Sequence, residues 1–281
     1  MIKIPDSKSH FSVADWIELY LATTAENISK ADIINFLEKT SLEEPTNAFI
    51  DSVWNELTKR QYKYQNPPFA VDGNIIDRKI IYETNSYTVC LIFSLFGLQG
   101  GSSESSKLFE RISAHVIKEY LKGEVYLMGW PTLKDKPISI KEKVRELCNK
   151  LNEDFNTAPK AKYKDRGVDI VAWKQFDDKR SSQCVILVQC AAGKDWKDKT
   201  TKDNHYESWT QYIHWACNPL QAFFVPCIIP DYDWHDYSRD AGILFDRIRI
   251  TNLLKTGLKD KELNIEINNW VRKKVKEYSI N

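Results

Sequence analysis

The chain has 281 residues, 42% of them hydrophobic, which is enough for a sizeable core and more than one domain of ordinary size. No stretch approaches the ~20 apolar residues that span a bilayer, and Met1-Ile2-Lys3-Ile4-Pro5-Asp6 lacks a basic-then-apolar leader, so a cytoplasmic protein is expected rather than a membrane or secreted one. The net charge of +1 divides into −4 over residues 1–100 and +5 over residues 101–281, which makes the second part the one suited to lie against a polyanion.

From residue 13 to 64 apolar residues recur at helical spacing: Trp16, Leu19 and Tyr20, then Ile33, Ile34 and Leu37, then Phe49, Val53, Trp54 and Leu57. Three helices are predicted, with Ser29 placed to cap the second. Pro67-Pro68 breaks the pattern. Residues 75–89 fit one or two strands or a short helix, and the apolar run 91–98 stops at Gly100-Gly101. The stretch Gly100-Gly101-Ser102-Ser103-Glu104-Ser105-Ser106 is small, polar and flexible. A boundary is expected there, between a mainly helical domain of residues 1–100 and a second domain of residues 101–281.

Residues 107–121 place Leu108, Ile112, Val116 and Tyr120 on one stripe of an amphipathic helix, with Glu110 at its margin. A second helix over residues 138–155 buries Ile140, Val144, Leu147 and Leu151 and leaves Glu142, Arg145, Glu146 and Lys150 nearer water. Residues 167–173 and 185–194 then predict a hairpin whose first strand opens on Asp169 and whose second ends in Gln189, Gly193 and Lys194. Further on, residues 209–215 read as a helix ended at Asn218-Pro219, residues 222–229 and 243–250 as strands, and residues 265–278 as a basic-ended terminal helix. This order of elements after Gly101 predicts an α/β fold, a mixed sheet flanked by helices.

In the hairpin Asp169 and Gln189 face a common side at adjacent strand ends. A carboxylate and an amide oxygen held together are hard ligands suited to Mg²⁺, and a lysine beside them can stabilise a developing phosphorane or position a water. Asp169 alone is equally a turn residue after Gly167, and Glu110 alone an ordinary helix-surface carboxylate. Gln189 carries more weight, because a central apolar strand seldom buries an amide without a partner.

Phe109-Glu110, Gly167-Val168-Asp169 and Val188-Gln189, in that order, resemble the metal-site motifs of the PD-(D/E)XK nuclease superfamily, the restriction-endonuclease-like fold, in its Mrr-like and prokaryotic defence-system members. The resemblance covers roughly residues 101–230. It implies a metal-dependent DNA endonuclease of restriction or antiphage-defence type, with Glu110, Asp169, the Gln189 side chain or the Cys190 carbonyl holding one or two Mg²⁺ or Mn²⁺ ions. The family's lysine falls at position 191, where this chain has Ala191. Lys194, just after the bend offered by Gly193, is the first substitute and Lys199 the second, while Glu146 and Glu153 are reserve ligands. Lys197, Arg247 and Arg249 are candidates for contact with the DNA backbone, although pairing of the arginines with Asp240 and Asp246 explains them as well. The resemblance also implies a companion protein such as an ATPase or sensor, with residues 1–100 serving partner or target recognition or a homo-oligomer contact.

Two other readings compete. The absent lysine fits a catalytically inactive nuclease fold that works as a nucleic-acid-binding or assembly module. A thiol hydrolase with Cys190 as nucleophile and His205 or His214 as base needs an exposed thiol beside an imidazole, whereas alternation with Gln189 turns Cys190 to the helix-covered side. The six cysteines form no CxxC pair and no Cys/His cluster at zinc spacing, so reduced, mostly buried thiols are expected.

Overall fold

A computed structural model describes residues 2–4, 9–40, 45–79, 86–97, 103–129, 138–158, 160, 165–202, 206–254 and 257–279. Helix α1 (His10–Thr23) starts at Ser9, whose hydroxyl accepts the Ser12 N–H, and is followed by β1 (Asn27–Ser29) and α2 (Lys30–Thr40). Thr46 caps α3 (Asn47–Lys63) in the same way through the Phe49 N–H. The strands β2 (Phe69–Asp72) and β3 (Ile75–Arg78) turn at Gly73, whose φ of 54° favours glycine, and β1 completes a small antiparallel sheet in the order β1-β3-β2. Helix α4 (Ser86–Phe96) follows. The ambiguous residues 75–89 thus contain a strand and the start of a helix. That helix is buried almost all round, from Ser86 to Phe93, so it carries no amphipathic period to read.

The next stretch holds α5 (Ser103–Leu121), β4 (Glu124–Leu127), α6 (Ile140–Leu151), β5 (Asp154–Phe155), β6 (Ile170–Lys174) and β7 (Cys184–Cys190). It continues through α7 (Trp196–Lys202), α8 (Tyr206–Thr210), β8 (Ile213–His214), β9 (Leu220–Phe224), α9 (Asp231–Ala241) and β10 (Ile243–Phe245), before α10 (Arg247–Leu253) and α11 (Lys261–Glu277) close the chain. Five strands form a mixed sheet in the order β10-β9-β7-β6-β4. The β6–β7 and β4–β6 pairs are antiparallel, while β7–β9 and β9–β10 are parallel. The fold is α/β, as expected. On one face of the sheet Val171, Trp173, Val185 and Leu187 pack with Val144, Leu147 and Leu151 of α6 and with Trp209. Helix α5 packs on β4, β6 and β7.

Several expected boundaries move. Ser103 already belongs to α5, so the small polar stretch after residue 102 is a helical first turn, and residues 98–102 lie outside the described residues. The helix expected over residues 138–155 ends at Leu151, because Asn152 adopts φ 56° and ψ 37° and its N–H closes on the Cys148 carbonyl, leaving residues 154–155 to pair as β5 with β8. Residues 209–215 likewise divide between α8 and β8. The strand expected over residues 243–250 ends at Phe245, and Arg247 opens a helix instead.

Two compact units result: Met1–Gly97 together with Arg247–Asn281, and Leu98–Asp246. The first boundary lies close to the expected one, but residues 247–281 belong with the N-terminal unit rather than with the sheet. In that unit α11 packs on α4, with Trp270 beside Phe93 at 5.0 Å between ring centroids and Tyr278 stacked on Phe96 at 3.9 Å. Arg247 is fully buried, with Nη2 2.6 Å from Asp15 Oδ1 and 3.3 Å from Glu18 Oε1. Arg60 Nη1 meets the same two carboxylates at 2.6 and 2.7 Å, and the Tyr64 and Tyr87 hydroxyls donate to Glu18. Charges this deep persist only because each is paired and hydrogen-bonded. The charge division changes with the boundary. Residues 98–246 hold 22 Lys+Arg against 22 Asp+Glu, and the excess of +5 lies wholly in residues 247–281, with 9 against 4. Among the described residues no helix is long and apolar enough to cross a membrane.

Candidate functional site

The β6–β7 hairpin ends where the sequence points. Its register pairs Ile170 with Val188, and one step further the Asp169 N–H donates to the Val188 carbonyl at 2.9 Å, which sets Asp169 opposite Gln189. Opposite residues of an antiparallel pair share a face. The Cys190 N–H donates to Asp169 Oδ2 at 2.7 Å and anchors that carboxylate. Gln189 and Asp169 are both half-buried.

Three further groups converge here from other elements. Glu110, on α5, has an Oε2 atom that is buried and has no hydrogen-bond partner among the described residues. Gly129, just after β4, makes room for it: a Cβ at this position would lie 3.1 Å from Glu110 Oε2 and 3.8 Å from Asp165 Oδ2. Asp165 belongs to the turn before β6, where its Oδ1 accepts the Gly167 N–H at 3.1 Å and its backbone carbonyl accepts the Trp209 indole N–H at 3.1 Å. Lys143, in the first turn of α6, is buried and donates to the Met128 carbonyl.

The electrostatics follow from this crowding. Burial, then the Asp165 carboxylate, pushes Glu110 from its ordinary 4.5 up to about 7, against the pull of Lys107 and Lys143. Asp169 is raised well above the usual carboxylate range by burial and by Glu110, while the Cys190 N–H and Lys199 pull it down. Burial lowers the Lys143 ammonium, and Asp165 and Glu110 oppose that. Among the described residues no three Asp, Glu, His or Cys side chains close tightly enough to enclose an ion by themselves. Mg²⁺ does not need such a cage, since it is commonly held by one or two carboxylates with waters and phosphate oxygens completing its shell. Hard oxygen donors, one of them orphaned and buried, fit that ion.

Each residue singled out in the sequence can now be located. Glu110, Asp169, Gln189 and Cys190 lie at this strand end, and Lys199 acts on Asp169 while its ammonium stands 3.9 Å from Asp195. Lys194 is exposed in the turn before α7, and no influence of it on Asp169 is found. Lys197 pairs with Asp233 at 3.8 Å and lies 5.8 Å from the ring centroids of Trp196 and Tyr237. The reserve ligands have other work. Glu146 accepts from the Tyr126 hydroxyl at 2.8 Å, and Glu153 accepts the Ser182 and Ala216 N–H groups at 3.1 and 2.9 Å. Arg247 is no DNA contact, because it is buried between Asp15 and Glu18, and only Arg249 of that pair is exposed.

The thiol reading loses its chemistry. Burial and the Asp169 and Glu110 carboxylates push Cys190 well above the ordinary thiol range, which suppresses a thiolate. His214 is exposed on β8 and lines a polar cleft of about 480 Å³ with Asn152, Asp154, Ser181 and Trp215, toward the end of the hairpin opposite Asp169; His205 lies outside the described residues. Asp165, Lys143 and Gly129 were not foreseen. Asp165-Arg166-Gly167 carries only a turn signal, Lys143 looks like one more charge on a solvated helix face, and Gly129 stands in no motif.

No family model matches the chain, and no curated protein does. Among solved structures it is similar to the restriction endonuclease FokI, at 10% identity over 92% of this chain and 46% of that one, with a TM-score of 0.21. It is also similar to FokI bound to DNA, at 11% identity over 94% of this chain and 48% of that one, with a TM-score of 0.20. The chain spans about half the length of either match. The fold assignment above rests on strand order and register.

Proposed function

We propose that the chain is a metal-dependent DNA endonuclease, the effector of a restriction or antiphage-defence system, which hydrolyses phosphodiester bonds at the Asp169 end of the hairpin. The observation that carries this reading is Glu110 Oε2, a buried carboxylate oxygen left without a partner beside Asp165 and under the field of Asp169. Acids held together against their own repulsion are stabilised by a cation. Glu110, Asp169 and either the Gln189 amide oxygen or the Cys190 carbonyl would hold Mg²⁺ or Mn²⁺. When bound, the ion supplies a water of lowered pKa and neutralises charge on the scissile phosphate.

The chain's own groups do the rest. The Cys190 N–H keeps Asp169 in one orientation, and Lys199, whose field reaches Asp169, orients the phosphate or the attacking water in place of the lysine missing at Ala191. Exposed Lys197 and Arg249 remain the candidates for the DNA backbone. A companion ATPase or sensor, a recognition role for the helical unit and a cytoplasmic location belong to the same proposal. The test is nicking of plasmid DNA by the full chain, with a candidate companion supplied, in Mg²⁺ or Mn²⁺ against EDTA. A folded Asp169→Ala protein that cleaves at the wild-type rate rejects the reading. Ala191 favours one alternative, an inactive nuclease fold that binds nucleic acid, and DNA binding without cleavage in either cation would select it.

A further inference from the structure

The carboxylates share their space with a buried ammonium. Lys143 is the fourth residue of α6, where the positive end of the helix dipole disfavours a cation, and yet only 6% of it is exposed. Burying an ammonium costs several kcal/mol, an order-of-magnitude figure, unless anions and acceptors surround it. Here the compensation is specific. Its Nζ donates to the carbonyl of Met128, the residue before the glycine around which Glu110 Oε2 and Asp165 Oδ2 approach. Both carboxylates feel its charge. On the hairpin side of the cluster, Asp169 instead feels Lys199.

We propose that the Lys143 ammonium occupies the place a second divalent cation would take between Glu110 and Asp165, so that the chain binds one divalent ion, centred on Asp169 and Gln189, and not two. The inference rests on the metal-site reading above and deepens it. Charge balance supports it: three carboxylates are neutralised by one ammonium and one divalent ion, which leaves half-exposed Lys199 to face the charge of an incoming phosphate. A second divalent ion beside Lys143 would place two cationic groups against the same two carboxylates.

The experiment counts Mn²⁺ bound to the full chain near neutral pH by the loss of the free-ion electron paramagnetic resonance signal. One Mn²⁺ per wild-type chain is expected, two for Lys143→Met and one for Lys143→Arg, which keeps the cation. Asp169→Asn should remove the single wild-type ion. Two ions on the wild type, or a single ion on a folded Lys143→Met protein, overturns the inference while leaving the metal site standing. No bound ion on the wild type overturns the metal reading and this inference with it. If circular dichroism shows Lys143→Met to be unfolded, the wild-type count of one against two still decides.

Discussion

Replacing Glu110 by glutamine should stabilise the metal-free protein, and only at neutral and alkaline pH. The folded state holds the Glu110 proton up to about pH 7, whereas in the unfolded chain it leaves near 4.5. Between those values the folded state binds more protons than the unfolded one, so stability falls as pH rises through that window and stays low above it. At about 1.4 kcal/mol per pH unit the full loss is roughly 3 kcal/mol. Partial solvent screening of this half-buried group reduces it to about 2. Glutamine keeps the shape and removes the charge, so the variant should escape that loss. In thermal unfolding with EDTA at pH 8, Tm should rise by roughly 4–8 °C, while at pH 4.5 the two proteins should differ little. A gain of equal size at both pH values, or a loss at pH 8, would refute the account of Glu110 as a carboxylate repelled by its surroundings. Saturating Mg²⁺ at pH 8 should raise the wild type toward the variant and move the variant less.

Arg247→Met should cost roughly 3–5 kcal/mol in urea unfolding, because Asp15 and Glu18 lose one of their buried counter-charges; a cost below about 1 kcal/mol would count against the ionic network as the centre of that unit. For the same reason residues 1–100 expressed alone should lack the cooperative unfolding of the full chain. Lys199→Ala should lower the rate of Mg²⁺-dependent cleavage roughly tenfold or more with DNA binding retained, whereas Lys194→Ala should cleave like the wild type. The reverse order would move the active lysine to the turn after Gly193. Gly129→Ala should leave the fold intact but weaken Mn²⁺ binding roughly tenfold, because its methyl would press on Glu110 Oε2 from 3.1 Å. Unchanged affinity would show that Glu110 does not face the ion.

What could be read without coordinates was local. The pairing of Asp169 with Gln189 follows from a hairpin whose two strands are neighbours in the chain and whose alternation sets which side chains share a face. The stripe on α5 likewise put Glu110 at the margin of a buried surface. The α/β class followed from the order of such elements, even though β4 was missed and several ends moved by a few residues.

Long-range packing decided the rest. Lys143 and Arg247 show why: a lysine or arginine in a sequence reads as solvated, and it becomes a buried group only when anions distant in the chain are brought to meet it. For Lys143 these are Glu110 and Asp165; for Arg247 they are Asp15 and Glu18, more than 200 residues away. Asp165 follows the same logic, since its turn is local but its second oxygen gains meaning only beside Gly129 and Glu110. The composition of the chain determined that it would have cores and which stripes would line them. Tertiary structure alone chose which charges those cores would enclose, because the desolvation of an ion is offset only by partners that no local pattern names.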